Sequence, residues 1–237
     1  MSDNSKYKCP IPATHDKFDE AHYFLHRTMD EFHKPKPFIW NLNAFIQALR
    51  SITLILQSEL GNKPNFGSWY SPLQERMKQD DLLKRFVEGR NTVVHRGMLQ
   101  HKSRVIAGLF KGYRLKMGFG DEIDINLSSE AVLRHTLETD PFVYDVYIDK
   151  EHSAIGEQIG IERTWIVEDF GQGDEDVLVL CHRAWSRISQ IVSAAHEFAG
   201  ARLPPVDESS DVHDLARVRV FLESDLDPNL PKQWGWE

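Results

Sequence analysis

The sequence predicts a mainly α fold: an antiparallel bundle of four to five helices, with a strand-rich insertion between the third and the last bundle helices. Three observations carry this. Apolar residues recur at spacings of three and four through roughly the first hundred positions. Proline- and glycine-containing breakers divide those runs. After about residue 104 the pattern turns β-branched and aromatic, before a long apolar helical face returns at about residue 174.

Each element follows from its own residues. Residues 15–34 place Phe18, Ala21, Leu25, Met29 and Phe32 on one stripe, and Pro35 and Pro37 are read as the stop. Residues 38–60 form a more apolar helix that ends at Gly61-Asn62-Lys63-Pro64. The third runs from about residue 68 to His95 or Arg96, with Gly89 as a bend and Gly97 as its end. Short connections between the three predict antiparallel neighbours. Residues 105–119, 122–127, 142–148 and 161–170 read as strands, with a short helix over 129–138. Residues 174–198 supply the missing bundle helix, its face traced by Val177, Leu180, Cys181, Ala184, Trp185, Ile188, Ile191, Val192, Ala195 and Phe198. The expected domains are thus a bundle over 15–103 and 174–200, an α/β insertion over 104–173, and an acidic linker with a C-terminal arm over 201–237. Trp234 and Trp236, close to the C-terminus, are expected to dock.

At 237 residues the chain can bury a substantial core, and 41% hydrophobic with 27% charged residues is the composition of a soluble globule. The most apolar run, 37–58, is interrupted by Asn41, Asn43, Gln47 and Arg50, so it is expected to be a core helix, with no membrane partner. No signal-peptide run develops at the start, and two cysteines make neither a disulfide framework nor a zinc knuckle, so a cytoplasmic location is expected. The net charge of −8 is unevenly spread. Between Arg76 and Gly120 eleven basic residues face three acidic ones, an excess of eight that leaves −16 for the remainder. A local field of that sign attracts phosphates even on an acidic protein.

The stretch Arg85-Phe-Val-Glu-Gly-Arg-Asn-Thr-Val-Val-His-Arg-Gly97 sits inside the third helix. On one continuous helix at about 100° per residue, Arg90, Asn91, His95 and Asp80 fall within the same broad arc as Trp69, Tyr70, Met77, Leu83, Phe86, Val87, Val93 and Val94. Buried polar groups need partners, so a site or an interface is expected there. Arg90 and His95 point about 140° apart on one chain. A two-fold related copy brings two imidazoles and two guanidiniums into one cleft. Such a cleft suits metal-free cleavage of an RNA phosphodiester: histidine handles the 2′-hydroxyl proton and arginine stabilises the phosphoryl charge.

Arg90-Asn91-x-x-x-His95 near the end of a bundle helix, with the aromatic start and acidic middle of WYSPLQERMKQDDLLKRFVEGRN, resembles the signature of the HEPN superfamily. The resemblance implies an HEPN-like bundle, a homodimer, and a metal-independent endoribonuclease of toxin or defence type, with Arg90 and His95 catalytic and Asn91 their polar companion. Arg85, Arg96, Lys102 and Arg104 are expected to bind the RNA, no cofactor or metal is expected, and an antitoxin or another protein is the further expected partner. Antitoxin-controlled members carry a tyrosine where this chain has Gly97. The alternative is a non-catalytic HEPN-like binding module for a partner protein or a nucleotide.

A second constellation, His15, His22, His26 and His33, lies within about 40° on the first helix. His22 and His26 have a spacing that can hold a metal, although the glutamate of a helical metalloprotease motif is missing, and an amphipathic histidine stripe is the preferred reading. Gly118-Phe119-Gly120 and Gly171-Gln172-Gly173 lack the other residues of phosphate-cradling loops and read as turns.

Overall fold

A helix that begins without a capping side chain of its own must borrow one. The first helix, α1 (Pro12–Asp30), starts after Ile11 with Pro12 in its first turn, and no side chain from its own sequence caps it. Glu59 does so from the far end of α2 (Pro35–Leu60), accepting hydrogen bonds from Ala13 N (3.1 Å), Thr14 N (2.9 Å) and Thr14 Oγ1 (2.7 Å). A carboxylate at a helix N-terminus is also favourably placed in the helix dipole. The first two helices therefore lie antiparallel with their ends tied. The computed structural model describes residues 9–97, 99–121, 126–140, 158–170, 175–202 and 216–221, with Asn229 and Lys232.

The boundary between α1 and α2 differs from expectation. Pro35 and Pro37 open the second helix instead of closing the first. Proline has no N–H to lose in a first turn, and its fixed φ suits that position. By length and composition α2 could cross a membrane. It packs as a core helix, with Phe38, Leu42, Phe45, Ile46, Ile52, Leu56 and Leu60 fully buried.

The expected long third helix is two helices, α3 (Phe66–Gln79) and α4 (Asp81–Arg96). Asp80 makes the break. Its backbone is extended (φ −79°, ψ 108°), and its Oδ1 accepts from Leu82 N (2.9 Å) and Leu83 N (3.1 Å), capping α4. Its carboxylate also pairs with Arg187 of the last bundle helix. The helix runs unbroken through Gly89. That glycine is buried where Phe170 crosses, and a Cβ there would lie 2.5 Å from Phe170 Cε1. The helix stops at Gly97, whose φ of 85° favours glycine and whose N–H bonds Val93 O at 3.0 Å.

The chain then builds a four-stranded antiparallel sheet of order β2-β1-β3-β4. The expected strand over 105–119 is a hairpin: β1 (His101–Lys111) and β2 (Arg114–Asp121) joined through Gly112 at φ 61°. Gly118-Phe119-Gly120, read as a turn, lies in β2. The short helix is α5 (Ser129–Thr139), capped by Ser128 Oγ. β3 (Gln158–Val167) continues into a 3-10 turn (Glu168–Phe170), and β4 (Val218–Val220) adds a short edge, so part of the expected arm joins the sheet. Of the expected strand over 122–127, positions 126 and 127 are described and form a turn and a bend. The strand over 142–148, the glycines at 171 and 173 and the terminal tryptophans lie outside the described residues.

The last bundle helix, α6 (Val177–Phe198), starts at Asp176, whose carboxylate accepts from Leu178 N and Trp165 N, both at 2.8 Å. One side chain thus caps a bundle helix and holds a strand; burial pushes its pKa up to about 6. Trp165 stacks on Phe38 (4.6 Å between centroids) and donates its indole N–H to Phe32 O (2.8 Å). The sheet is therefore locked to the bundle at that end, while Val105, Ala107, Val132, Leu133, Ile159, Ile161 and Phe221 form a second core under α5. The molecule is mainly helical with a small antiparallel sheet, three strands of which lie between α4 and α6 in the chain while the fourth follows α6.

Candidate functional site

Because α4 begins afresh at Asp80, the register counted from Leu73 does not carry through to Arg90, Asn91 and His95. Counted within α4, the buried positions Leu82, Leu83, Phe86, Gly89 and Val93 share one face, and Asn91 and His95 lie on the opposite one. Both are exposed, as are Val87 and Val94; Arg90 is half-buried on the flank. The expectation of polar groups buried in an apolar arc is thereby corrected. Arg90 donates to Asn91 Oδ1 at 3.4 Å, a long and weak bond, and in one copy the arginine and the histidine still diverge.

The basic segment is well defined. Of its eleven cations, ten are exposed and Arg90 is half-buried, so none is spent inside the core. They run along α3, α4, β1 and β2. Lys78 pairs with Glu75 (3.9 Å), Lys84 with Asp81 (3.0 Å) and Lys102 with Glu168. Among the described residues, Arg96, Lys111, Arg114 and Lys116 enter no ion pair. Lys84 holds the Asp81 carboxyl below its ordinary range, chiefly through their hydrogen bond. At the β1–β2 turn Tyr113 stands 55% exposed between Lys111 and Arg114, and Leu115 and Met117 are also exposed along β2. An aromatic ring among cations at the tip of a hairpin is a surface on which a nucleobase can stack while phosphates meet the charges.

Sequence reasoning missed a cleft of about 330 Å³ between α2, α3, α4 and α6. Leu49, Met77, Phe86 and Ile188 make its lining partly apolar, and Arg50, Lys78 and Lys84 outnumber Glu88 among its charged residues. Arg50 Nη1 is steadied by donation to Thr53 Oγ1 at 2.7 Å. Burial raises the pKa of Tyr70 in the same wall. The signal in the sequence was Arg50 on the most apolar helix, but the partner walls come from α3 and α4, whose break at Asp80 was not anticipated.

The histidine stripe disperses. His22 and His26 stay together, Nε2 to Nε2 at 3.0 Å, with His22 stacked on Trp185 at 4.7 Å. Burial lowers the pKa of His22, and His26 beside it adds to that. His33 is buried elsewhere, donating from Nε2 to Ala216 O (2.9 Å) and accepting at Nδ1 from Ser129 Oγ (2.7 Å). His15 turns toward α6.

A family model described as bacteriophage lambda protein ea47 matches residues 3–217. Protein ea47 of Escherichia phage lambda is 29% identical over 98 residues, which is 41% of this chain and 24% of that protein, so the matched stretch spans about a quarter of the curated relative. No solved structure matches. These findings overturn the HEPN resemblance: the family matched across most of the chain is a different one, and no HEPN family matches. Arg90 on the flank of α4 and Asn91 and His95 on its exposed face span six positions, too short a stretch to fix a family.

Proposed function

The chain belongs to the bacteriophage lambda Ea47 family, and from that premise we propose that it binds single-stranded RNA through the basic surface running from α3 to the β1–β2 hairpin. The observation that carries this reading is the exposure of ten of the eleven cations between Arg76 and Gly120 in a protein that is otherwise strongly acidic. A basic face of purely solvating character would be interspersed with acids, as the other faces of this molecule are. Here the segment itself holds three acids, Glu75 and Glu168 reach two of its cations from outside it, and the hairpin from His101 to Gly120 contains none. Exposed Tyr113 favours single strands, whose unstacked bases offer a π face that a duplex hides. The cleft with Arg50, Lys78 and Lys84 on its walls suits one base seated against Met77 and Phe86 with its phosphate toward the cations. Arg85, Arg96, Lys102 and Arg104 lie along the same run and would contact the backbone.

The test is fluorescence anisotropy of a labelled, unstructured oligoribonucleotide across a salt series, with single-stranded DNA and duplex RNA as comparisons. Affinity should fall linearly on a log–log plot against salt, at about 0.7 per phosphate contacted. Replacing Lys111, Arg114 and Lys116 together by alanine should lower that slope by about 2. A triple variant with an unchanged slope would remove the hairpin from the binding surface.

A second reading adds cleavage of the bound strand by Arg90 and His95. It is favoured by the open position of His95 beside exposed Val87 and Val94, an apolar strip that a second copy of α4 would cover while joining the two diverging groups. Incubation with RNA in chelator separates the readings: product from the parent chain that vanishes in His95→Ala supports cleavage, and intact RNA supports binding alone.

A further inference from the structure

We propose that Cys9, His15 and His196 form a binding site for one zinc-type divalent ion, with a fourth position open to solvent. Three parts of the chain meet there: the segment before α1, the first turn of α1 and the last turn of α6. His15 Nδ1 lies 3.3 Å from His196 Nε2, and Cys9 Sγ lies 3.3 Å from His196 Nε2 and 3.8 Å from His15 Nδ1. Tetrahedral zinc with bonds of about 2.0–2.1 Å to nitrogen and 2.3 Å to sulfur separates its ligand atoms by about 3.4 Å for two nitrogens and 3.6 Å for sulfur and nitrogen. The nitrogen pair meets that requirement, and the two sulfur–nitrogen edges straddle it.

The hydrogen bonds behind the triangle point the same way. His196 is fully buried, and its Nδ1 bonds Val192 O at 2.8 Å. A carbonyl only accepts, so the proton sits on Nδ1 and the Nε2 lone pair faces the other two groups. His15 has its Nε2 side toward Asp19 Oδ1, 3.7 Å away, which leaves Nδ1 facing inward. A carboxylate or carbonyl behind each imidazole is the usual support of metal-bound histidine. Two inward lone pairs 3.3 Å apart repel unless a proton or a cation lies between them.

The donor set selects the ion. One thiolate with two imidazoles suits zinc and its borderline neighbours, whereas magnesium and calcium require oxygen. Glu59, the carboxylate near His196, is occupied with the N-terminus of α1 and leaves the fourth position to water. Binding would release the thiol proton of Cys9 to solvent and fasten the leading segment to the end of α6. The His22–His26 pair is the weaker candidate, since among the described residues no third donor joins it.

Cobalt(II) titration of the full metal-free chain tests the site, followed by thiolate-to-cobalt absorption in the near ultraviolet and by the visible bands of tetrahedral cobalt. One ion per chain should bind, and zinc should displace it. Cys9→Ala should abolish the thiolate band and weaken zinc binding by about 100-fold or more, with the helical circular dichroism unchanged; Cys181→Ala should retain the band. The proposal fails if the parent chain gives no thiolate band, if Cys9→Ala keeps it, or if His22→Asn removes binding that Cys9→Ala leaves intact.

Discussion

At the scale of single residues, His33 shows how burial sets a charge. Its ring lies between α5 and the turn before β4, and burial together with the nearby Arg163 guanidinium lowers its pKa to about 3. Arg163 is itself enclosed, and burial brings it down to about 10. For His33 the sign is definite. The unfolded chain takes up its proton near pH 6.5 and the folded chain only near pH 3, so the stability this group contributes is complete above about 6.5 and is lost as pH falls toward 3. Asp176 works in the opposite direction, since a carboxyl raised to about 6 makes the folded state more stable below that pH. The wider window belongs to His33. Because the two oppose one another, the comparison of parent with variant carries the test: in urea denaturation between pH 7 and pH 4, His33→Gln, which retains a donor for Ala216 O, should lose less stability on acidification than the parent. An equally steep fall in the variant would assign it to other groups. The sequence placed His33 on a stripe with His15, His22 and His26, and that geometry was correct for α1 alone. It could not reveal that Ser129, Ala216 and His196 wait at three different places around the stripe, because those partners are set by packing between distant segments.

At the scale of elements, the join between α4 and the sheet depends on the absence of one methyl group. Phe170 lies against Gly89 and stacks on Phe86 with centroids 4.7 Å apart. Gly89→Ala would ordinarily stabilise a helix interior by roughly 1 kcal/mol. Here the new carbon would sit 2.5 Å from an aromatic ring, and overpacking of this kind costs about 1–3 kcal/mol, so the clash decides the sign. Thermal melting should show Gly89→Ala less stable than the parent, and a rise in Tm would mean that Phe170 swings away freely. Apolar periodicity located α1, α2, α5 and α6, and the C-terminal end of α4, within a few residues because each has one strongly buried face. It ran α3 and α4 together because an aspartate inside a polar stretch reads equally well as a solvated helical residue and as a cap. The three bonds made by Asp80, two to backbone N–H groups and one to Arg187, distinguish those readings only in three dimensions.

Taken whole, the molecule has an arrangement that its sequence conveyed in outline: helices, an inserted sheet, and a return to the bundle. That order governs how the protein emerges during synthesis. The faces of α1, α2 and α4 that α6 covers are complete once Arg96 is made, yet α6 begins only at Val177. Translation at about 5–20 residues per second leaves some 4–16 seconds in which that apolar surface has no cover. Throughout that interval the uncovered surface is open to association with other apolar chains, and a chaperone that shields it until α6 arrives should raise the yield of folded protein.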